Sequence, residues 1–128
     1  MGTNGRNAWT WLSLGLGAAY LGALAVNRSL RDVQGRSMSP ALEPGDRILV
    51  APVPPARVRR GAVVVVRDPR MPDRCTVKRL RLHTEDGLVV LGDNPSASTD
   101  SRSYGAVPYE LYVGQAVWRV RPWGAIPT

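Results

Sequence analysis

The sequence predicts a mainly β protein, with one N-terminal transmembrane helix followed by a single small β domain. Three observations predict it. A run of 19 residues without charge, Ala8 to Val26, approaches the roughly 20 apolar residues that span a bilayer. From Val33 onward the pattern changes to short β-branched runs separated by Gly, Pro and Asp. The chain has 128 residues, so the remainder beyond the apolar run can form one modest core.

Residues 1–7 are a short polar tail carrying Arg6, and 8–27 read as the anchor. Trp9, Trp11 and Tyr20 are amphipathic aromatics of the kind that mark membrane interfaces. Gly15, Ala19 and Ala23 recur at four-residue spacing and would let a second helix approach closely. Ala23-Leu24-Ala25 also offers an A-x-A cleavage site, but the length of the run favours an uncleaved anchor over a secretory signal. Arg28, Arg31 and Arg36 follow the run and only Arg6 precedes it, which by the positive-inside rule favours a cytoplasmic β domain.

The β domain is expected over 33–123. Its strands are Arg47 to Val50 after the turn Glu43-Pro44-Gly45-Asp46, then Ala62 to Val66, Cys75 to Leu82, Leu88 to Leu91 after Asp86-Gly87, and Tyr112 to Val120. Pro52, Pro54 and Pro55 mark a loop. Gly92 to Arg102 holds no large apolar side chain and is dense in hydroxyls and carboxylates, so it reads as a loop. It is either a solvated turn or a scaffold that orients a catalytic group.

Composition excludes several functions. The net charge of +7 is spread along the chain, which suits an anionic membrane surface. No basic block with interleaved aromatics and no C-x-x-C spacing occurs, so no nucleic-acid partner is expected. Cys75 is the only cysteine, which rules out an internal disulfide. His83 is the only histidine, so a multi-histidine metal site is excluded and a Ser-His-Asp triad would have to use it. Neither metal nor cofactor is expected.

The cations are unusual. Of 17 Lys plus Arg, Lys78 is the only lysine. Arginine cannot lose its proton in a protein, whereas a buried lysine can. A lone lysine flanked by Val77 and Leu80 is either an accident of composition or a neutral amine, and a neutral amine can serve as general base to a serine. One serine lies in Gly35-Arg36-Ser37-Met38-Ser39-Pro40, just after the membrane segment. Pro40 holds Ser39 extended and Gly35 allows close backbone approach, so the turn can fix Ser37 in one pose. The bland alternative is a polar linker.

These blocks, in this order, resemble the type I signal peptidase family of membrane-anchored serine proteases. Ser37-Met38-Ser39-Pro40 is similar to the family's Ser-Met-x-Pro box, and Lys78-Arg79 to its Lys-Arg pair. Gly92-Asp93-Asn94 and Asp100-Ser101-Arg102 are similar to the two ends of its Gly-Asp-Asn loop. The resemblance covers roughly residues 8 to 121, with Ala62 where the family's strand box usually has Asp and Pro95 in place of a usual Arg. It implies Ser37 as nucleophile and Lys78 as base, with Ser98 on the lysine and Asp100 with Arg102 as a supporting ion pair. It implies an oxyanion hole using the Ser37 N–H. Many bacterial members carry a hydroxyl as second donor where this chain has Gly35, and glycine at that place resembles the mitochondrial inner-membrane branch. Met38, Thr76 and Val77 are implied to line shallow pockets for small residues of a preprotein or propeptide substrate. The resemblance further implies a catalytic domain on the extracytoplasmic side, against the charge pattern, and a possible partner subunit in the lipid bilayer. The small size also resembles proteases that mature nickel-type superoxide dismutase, so general leader removal and processing of one partner both remain open.

Two other classes compete. A self-cleaving repressor shares a Ser-Lys dyad and a similar β fold, but residues 1–32 offer a membrane segment where it would need a DNA-binding helical domain. A non-catalytic membrane-anchored β module would be indifferent to loss of Ser37. His83 reads as a structural or surface residue and Cys75 as a small core residue. Trp118 and Trp123, beside Arg119 and Arg121, fit either the lipid headgroup layer or the core.

Overall fold

A computed structural model describes residues 29–128. The expected polar tail and membrane anchor lie outside the described residues. Among those described, no helix is long and apolar enough to cross a membrane.

Six strands form one antiparallel sheet: β1 (Ser29–Asp32), β2 (Arg47–Ala51), β3 (Val63–Asp68), β4 (Met71–Thr84), β5 (Gly87–Leu91) and β6 (Tyr112–Arg121). Their order is β1-β2-β6-β3-β4-β5. A single helical turn, α1 (Ser101–Tyr104), follows the loop after β5. The mainly β expectation holds, and every anticipated strand is present. β1 is an addition to them, because Ser-Leu-Arg-Asp is a short polar edge segment without a β-branched residue to signal it. β4 starts at Met71, earlier than expected, and its first four residues are exposed.

β3 explains the core. Its four valines are 0–3% exposed, and alternation sends them to both faces. Val63 and Val65 pack with Val33, Met38, Leu42, Ile48 and Val50. Val64 and Val66 pack with Val58, Leu80, Leu88, Val90 and Val107. A strand covered on both faces reads as a continuous apolar run rather than an alternating one. Each buried valine contributes about 1.5–2 kcal/mol of transfer free energy. This doubly covered strand is the rigid neighbour against which β4 holds its side chains, through the pairs Val64 with Lys78 and Val65 with Val77.

Candidate active site

The Ser37 segment is held from below. Met38 is 1% exposed and Leu42 fully buried, both in the core, and the Leu42 N–H donates to the Met38 carbonyl at 2.9 Å. With its neighbour anchored, Ser37 stays at the rim, half-buried. Gly35 turns the chain there at φ +73°, a left-handed conformation, although a Cβ at that position would meet nothing within 4 Å. The need for glycine is therefore conformational. Among the described residues, no acceptor takes the Ser37 N–H.

A second clamp comes from the loop after β5. The Asn94 N–H donates to the Ser37 carbonyl at 2.8 Å, and Asn94 Nδ2 donates to the Arg36 carbonyl at 3.1 Å. Asp93 faces elsewhere and takes a two-pronged ion pair from Arg79, with both bonds at 2.8 Å. Arg79 also donates to the carbonyls of Gly61, at 2.7 Å, and Pro127, at 3.0 Å. Neighbouring residues on a strand point to opposite faces, so Arg79 ties down the loop while Lys78 points the other way. Gly92 lies where these parts cross. A Cβ there would stand 2.2 Å from Ser98 Oγ and 2.7 Å from the Ser37 carbonyl oxygen.

Lys78 is 4% exposed. Its Nζ donates to Ser98 Oγ at 3.2 Å, and Ser98 Oγ donates to Asp100 Oδ2 at 2.7 Å. Among the described residues four ion pairs form, and none includes Lys78. A buried ammonium without direct carboxylate contact is poorly stabilised. Burial accordingly pushes Lys78 below its ordinary pKa, against upward pulls from Asp100 and Asp68, with Arg102 and Arg70 adding to the downward push.

Asp100 is the hub behind the lysine. It is 1% exposed and caps α1 by accepting the Arg102 N–H at 3.1 Å. It also accepts the Gly92 N–H at 2.8 Å and Arg102 Nε at 2.9 Å. The Arg102 guanidinium, ahead of the backbone and Ser98 bonds, holds its carboxyl far below the usual range despite burial. Asp100 thus stays an acceptor and takes the single hydroxyl proton of Ser98. Ser98 then offers Lys78 only a lone pair, and Lys78 must donate to it. An amine held in this way keeps its own lone pair, when neutral, for another partner.

Ser37 and Lys78 line one open cleft of about 670 Å³, together with Gly35, Thr76 and Val77. Ser98, Asp100 and Arg102 lie behind Lys78, joined by the bonds above. Met38 corrects the expectation of a pocket wall. It is a core side chain, because it must anchor the turn that carries Ser37. Sequence reasoning missed Asn94 and Gly92 as individual parts, although both belong to the Gly-Asp-Asn block. It also missed buried Asp68, which accepts the Arg70 N–H at 2.8 Å and the Arg70 guanidinium at 2.8 and 3.1 Å beside the same cleft. His83 is spent on the Val58 carbonyl, 2.9 Å from Nε2, and Cys75 packs against the core. Trp118 meets Trp123 edge-on at 5.6 Å, with Trp123 76% exposed.

Residues 27–105 of this all-antiparallel β domain, which carries a buried lysine and a rim serine in one cleft, match the Peptidase S24-like family, a class of small β peptidases. The chain belongs to that family and is type I signal peptidase-like. It is 39% identical over 119 residues to the mitochondrial ATP-independent inner membrane protease subunit 1a of Arabidopsis thaliana, across 73% of this chain and 71% of that protein. It is 30% identical over 128 residues to subunit 1b of the same plant, across 80% of this chain and 72% of that protein. A peptidase-type hydrolase is the activity class these relationships support.

Proposed function

We propose that this protein is a membrane-bound serine endopeptidase that removes N-terminal leader peptides after small residues, with Ser37 as nucleophile and Lys78 as general base. The single observation that carries the reading is Lys78: a buried amine without a carboxylate contact, lining the same cleft as Ser37. In the neutral form Lys78 Nζ takes the Ser37 hydroxyl proton as Oγ attacks the scissile carbonyl. The Ser98 bond aims the amine, and Asp100 fixes the Ser98 proton. The Ser37 N–H, without an acceptor among the described residues, is available to the tetrahedral oxyanion. Gly35 lacks the hydroxyl of many relatives by resemblance, so the second donor is backbone or water. Lys78 then protonates the leaving amine, and water, deprotonated by the same lysine, releases the acyl group from Ser37.

The domain plan belongs to the same proposal: a polar tail over 1–7, an anchor over 8–27 and the protease domain over 33–123. The relatives' names speak of an inner membrane protease and of subunits. They support a membrane location and a partner subunit for this chain. The extracytoplasmic face for the catalytic domain belongs to the proposal through the family resemblance alone, against the charge pattern. Processing of one dedicated partner remains the second substrate reading. The test is cleavage of a preprotein bearing an A-x-A site by detergent-solubilised wild type, Ser37→Ala and Lys78→Arg. Wild type is expected to cut, and both variants to fall by at least about 1,000-fold, because Arg keeps the charge but cannot act as base. Appreciable turnover by Lys78→Arg refutes the role given to Lys78.

A further inference from the structure

The cleft carries cations that the proposed chemistry leaves unused. Besides Lys78, its charged lining is Arg31, Asp32, Arg36, Asp68, Arg70, Asp73 and Arg74. Two of the carboxylates are already paired, Asp32 with Arg47 and Asp68 with Arg70, each at 2.8 Å. Among the described residues, Arg31, Arg36 and Arg74 have no carboxylate partner, against one unpaired carboxylate, Asp73. The cleft is therefore net positive where a peptide must lie.

A second observation comes from Arg31 itself. Its Nε is buried and, among the described residues, has no hydrogen-bond acceptor. Buried donors in native proteins are almost always satisfied, so an orphaned guanidinium N–H beside a binding cleft calls for an acceptor. Arg31 pairs with core residue Ile48 across β1 and β2, which turns its side chain to the inner face of the sheet. Arg74 lies on β4, four residues before Lys78, while Arg31 lies six residues before Ser37. Both cations therefore sit upstream of a proposed catalytic residue on an element that lines the cleft.

We infer that Arg31 and Arg74, which line the same cleft, form a subsite for an acidic side chain of the bound peptide, placed about four residues from the scissile bond by the position of Arg74 on β4 at ~3.3 Å per residue of extended chain. This rests on the endopeptidase reading for the position of the scissile bond. The ligand class is a carboxylate-bearing peptide, not merely one with small residues at the cut. A carboxylate there would balance the excess charge of the cleft, and a turn of the Arg31 side chain would bring its buried Nε to that acceptor.

The test uses the full chain in nonionic detergent and extended peptides with Ala at the cut, in which one Asp is moved stepwise to either side. Binding is read by fluorescence anisotropy on Ser37→Ala, and turnover on the wild type. Asp near the fourth residue on one side is expected to tighten binding about five- to tenfold, with the gain shrinking as salt rises. The gain should vanish in Arg31→Gln/Arg74→Gln, with folding verified by circular dichroism. Arg74→Glu, at an exposed position, should turn the preference toward Lys at the same place. A flat scan, or a gain that survives in the double variant, overturns the inference. Turnover indifferent to Asp would leave the peptidase reading standing without this subsite. A binding gain without turnover would leave the subsite standing without the peptidase.

Discussion

Gly92→Ala is the sharpest probe of how the site is assembled. The added Cβ would stand 2.2 Å from Ser98 Oγ, 2.5 Å from Ser98 Cβ and 2.7 Å from the Ser37 carbonyl oxygen. Real contacts of this kind open to about 3.2 Å or more, so Ser98 or the Gly92 backbone must move by about 1 Å; Gly92 is buried and half-buried Ser98 is tied by hydrogen bonds. Ser98 is bound on one side to Lys78 and on the other to Asp100, and the Ser37 carbonyl is bound to the Asn94 N–H. One methyl group therefore strikes both halves of the proposed dyad. Overpacking of this size costs about 1–3 kcal/mol, or about 4–12 °C in Tm for a domain of this length. A misplacement of about 1 Å in catalytic groups lowers kcat by about 100-fold.

The assay is kcat on a leader peptide beside thermal melting, for Gly92→Ala, Ser98→Gly and the double variant. Ser98→Gly removes the two Ser98 contacts but leaves the clash with the Ser37 carbonyl. The double variant should thus recover part of the lost Tm and none of the lost kcat. Gly92→Ala with kcat within about twofold of wild type and an unchanged Tm would refute the claim that Gly92 is glycine because of close approach.

Two further predictions concern the buried charges. The folded pKa of Lys78 lies below its unfolded value, so the unfolded chain binds more protons and stability rises with pH between the two. Lys78→Met should therefore be inactive yet more stable than wild type at pH 7, with the advantage shrinking as pH climbs toward the unfolded value of 10.5; denaturant melts across that range test this, and a Met variant less stable at pH 7 contradicts it. Asp100 behaves in the opposite sense: its folded pKa is depressed, so its stabilisation is present above the unfolded 3.8 and fades as pH falls toward the folded value. Asp100→Asn should lose about 2–4 kcal/mol at pH 7 and flatten the acid limb of the stability curve, and an unaltered acid limb would exclude Asp100 as its source.

The strands were legible because β-branched runs and Gly, Pro and Asp punctuation are local signals. Val63 to Val66 announce a buried strand whatever lies around them. β1 escaped because its pairing with β2 is decided by a partner 15 residues or more away, not by its own composition. The lone lysine was legible for a similar reason: a residue type used once draws attention before any contact is known. Met38 was misassigned because a methionine beside a serine reads equally as pocket wall or as core, and only burial separates the two.

The loop from Gly92 to Arg102 was legible as a block but not as a set of parts, and its geometry says why. Asn94 acts on Arg36 and Ser37, nearly sixty residues away, while Asp93 acts on Arg79 across the sheet. Asp100 acts on Ser98 and Gly92 within the loop itself. Three positions in one loop thus serve three different tasks: clamping the serine turn, fastening the loop to β4, and aiming the lysine through Ser98. Small polar residues with identical local propensities can perform any of these, so composition alone cannot assign them. What distinguishes them is direction, and direction is set by β4, where Lys78 and Arg79 leave the strand on opposite faces. Arg79 holds the loop from one face while Lys78 receives its Ser98 from the other. A variant that loosens Arg79 from Asp93 should therefore weaken the Lys78 site without touching it, which makes the Lys-Arg pair a single working unit rather than a base with an incidental neighbour.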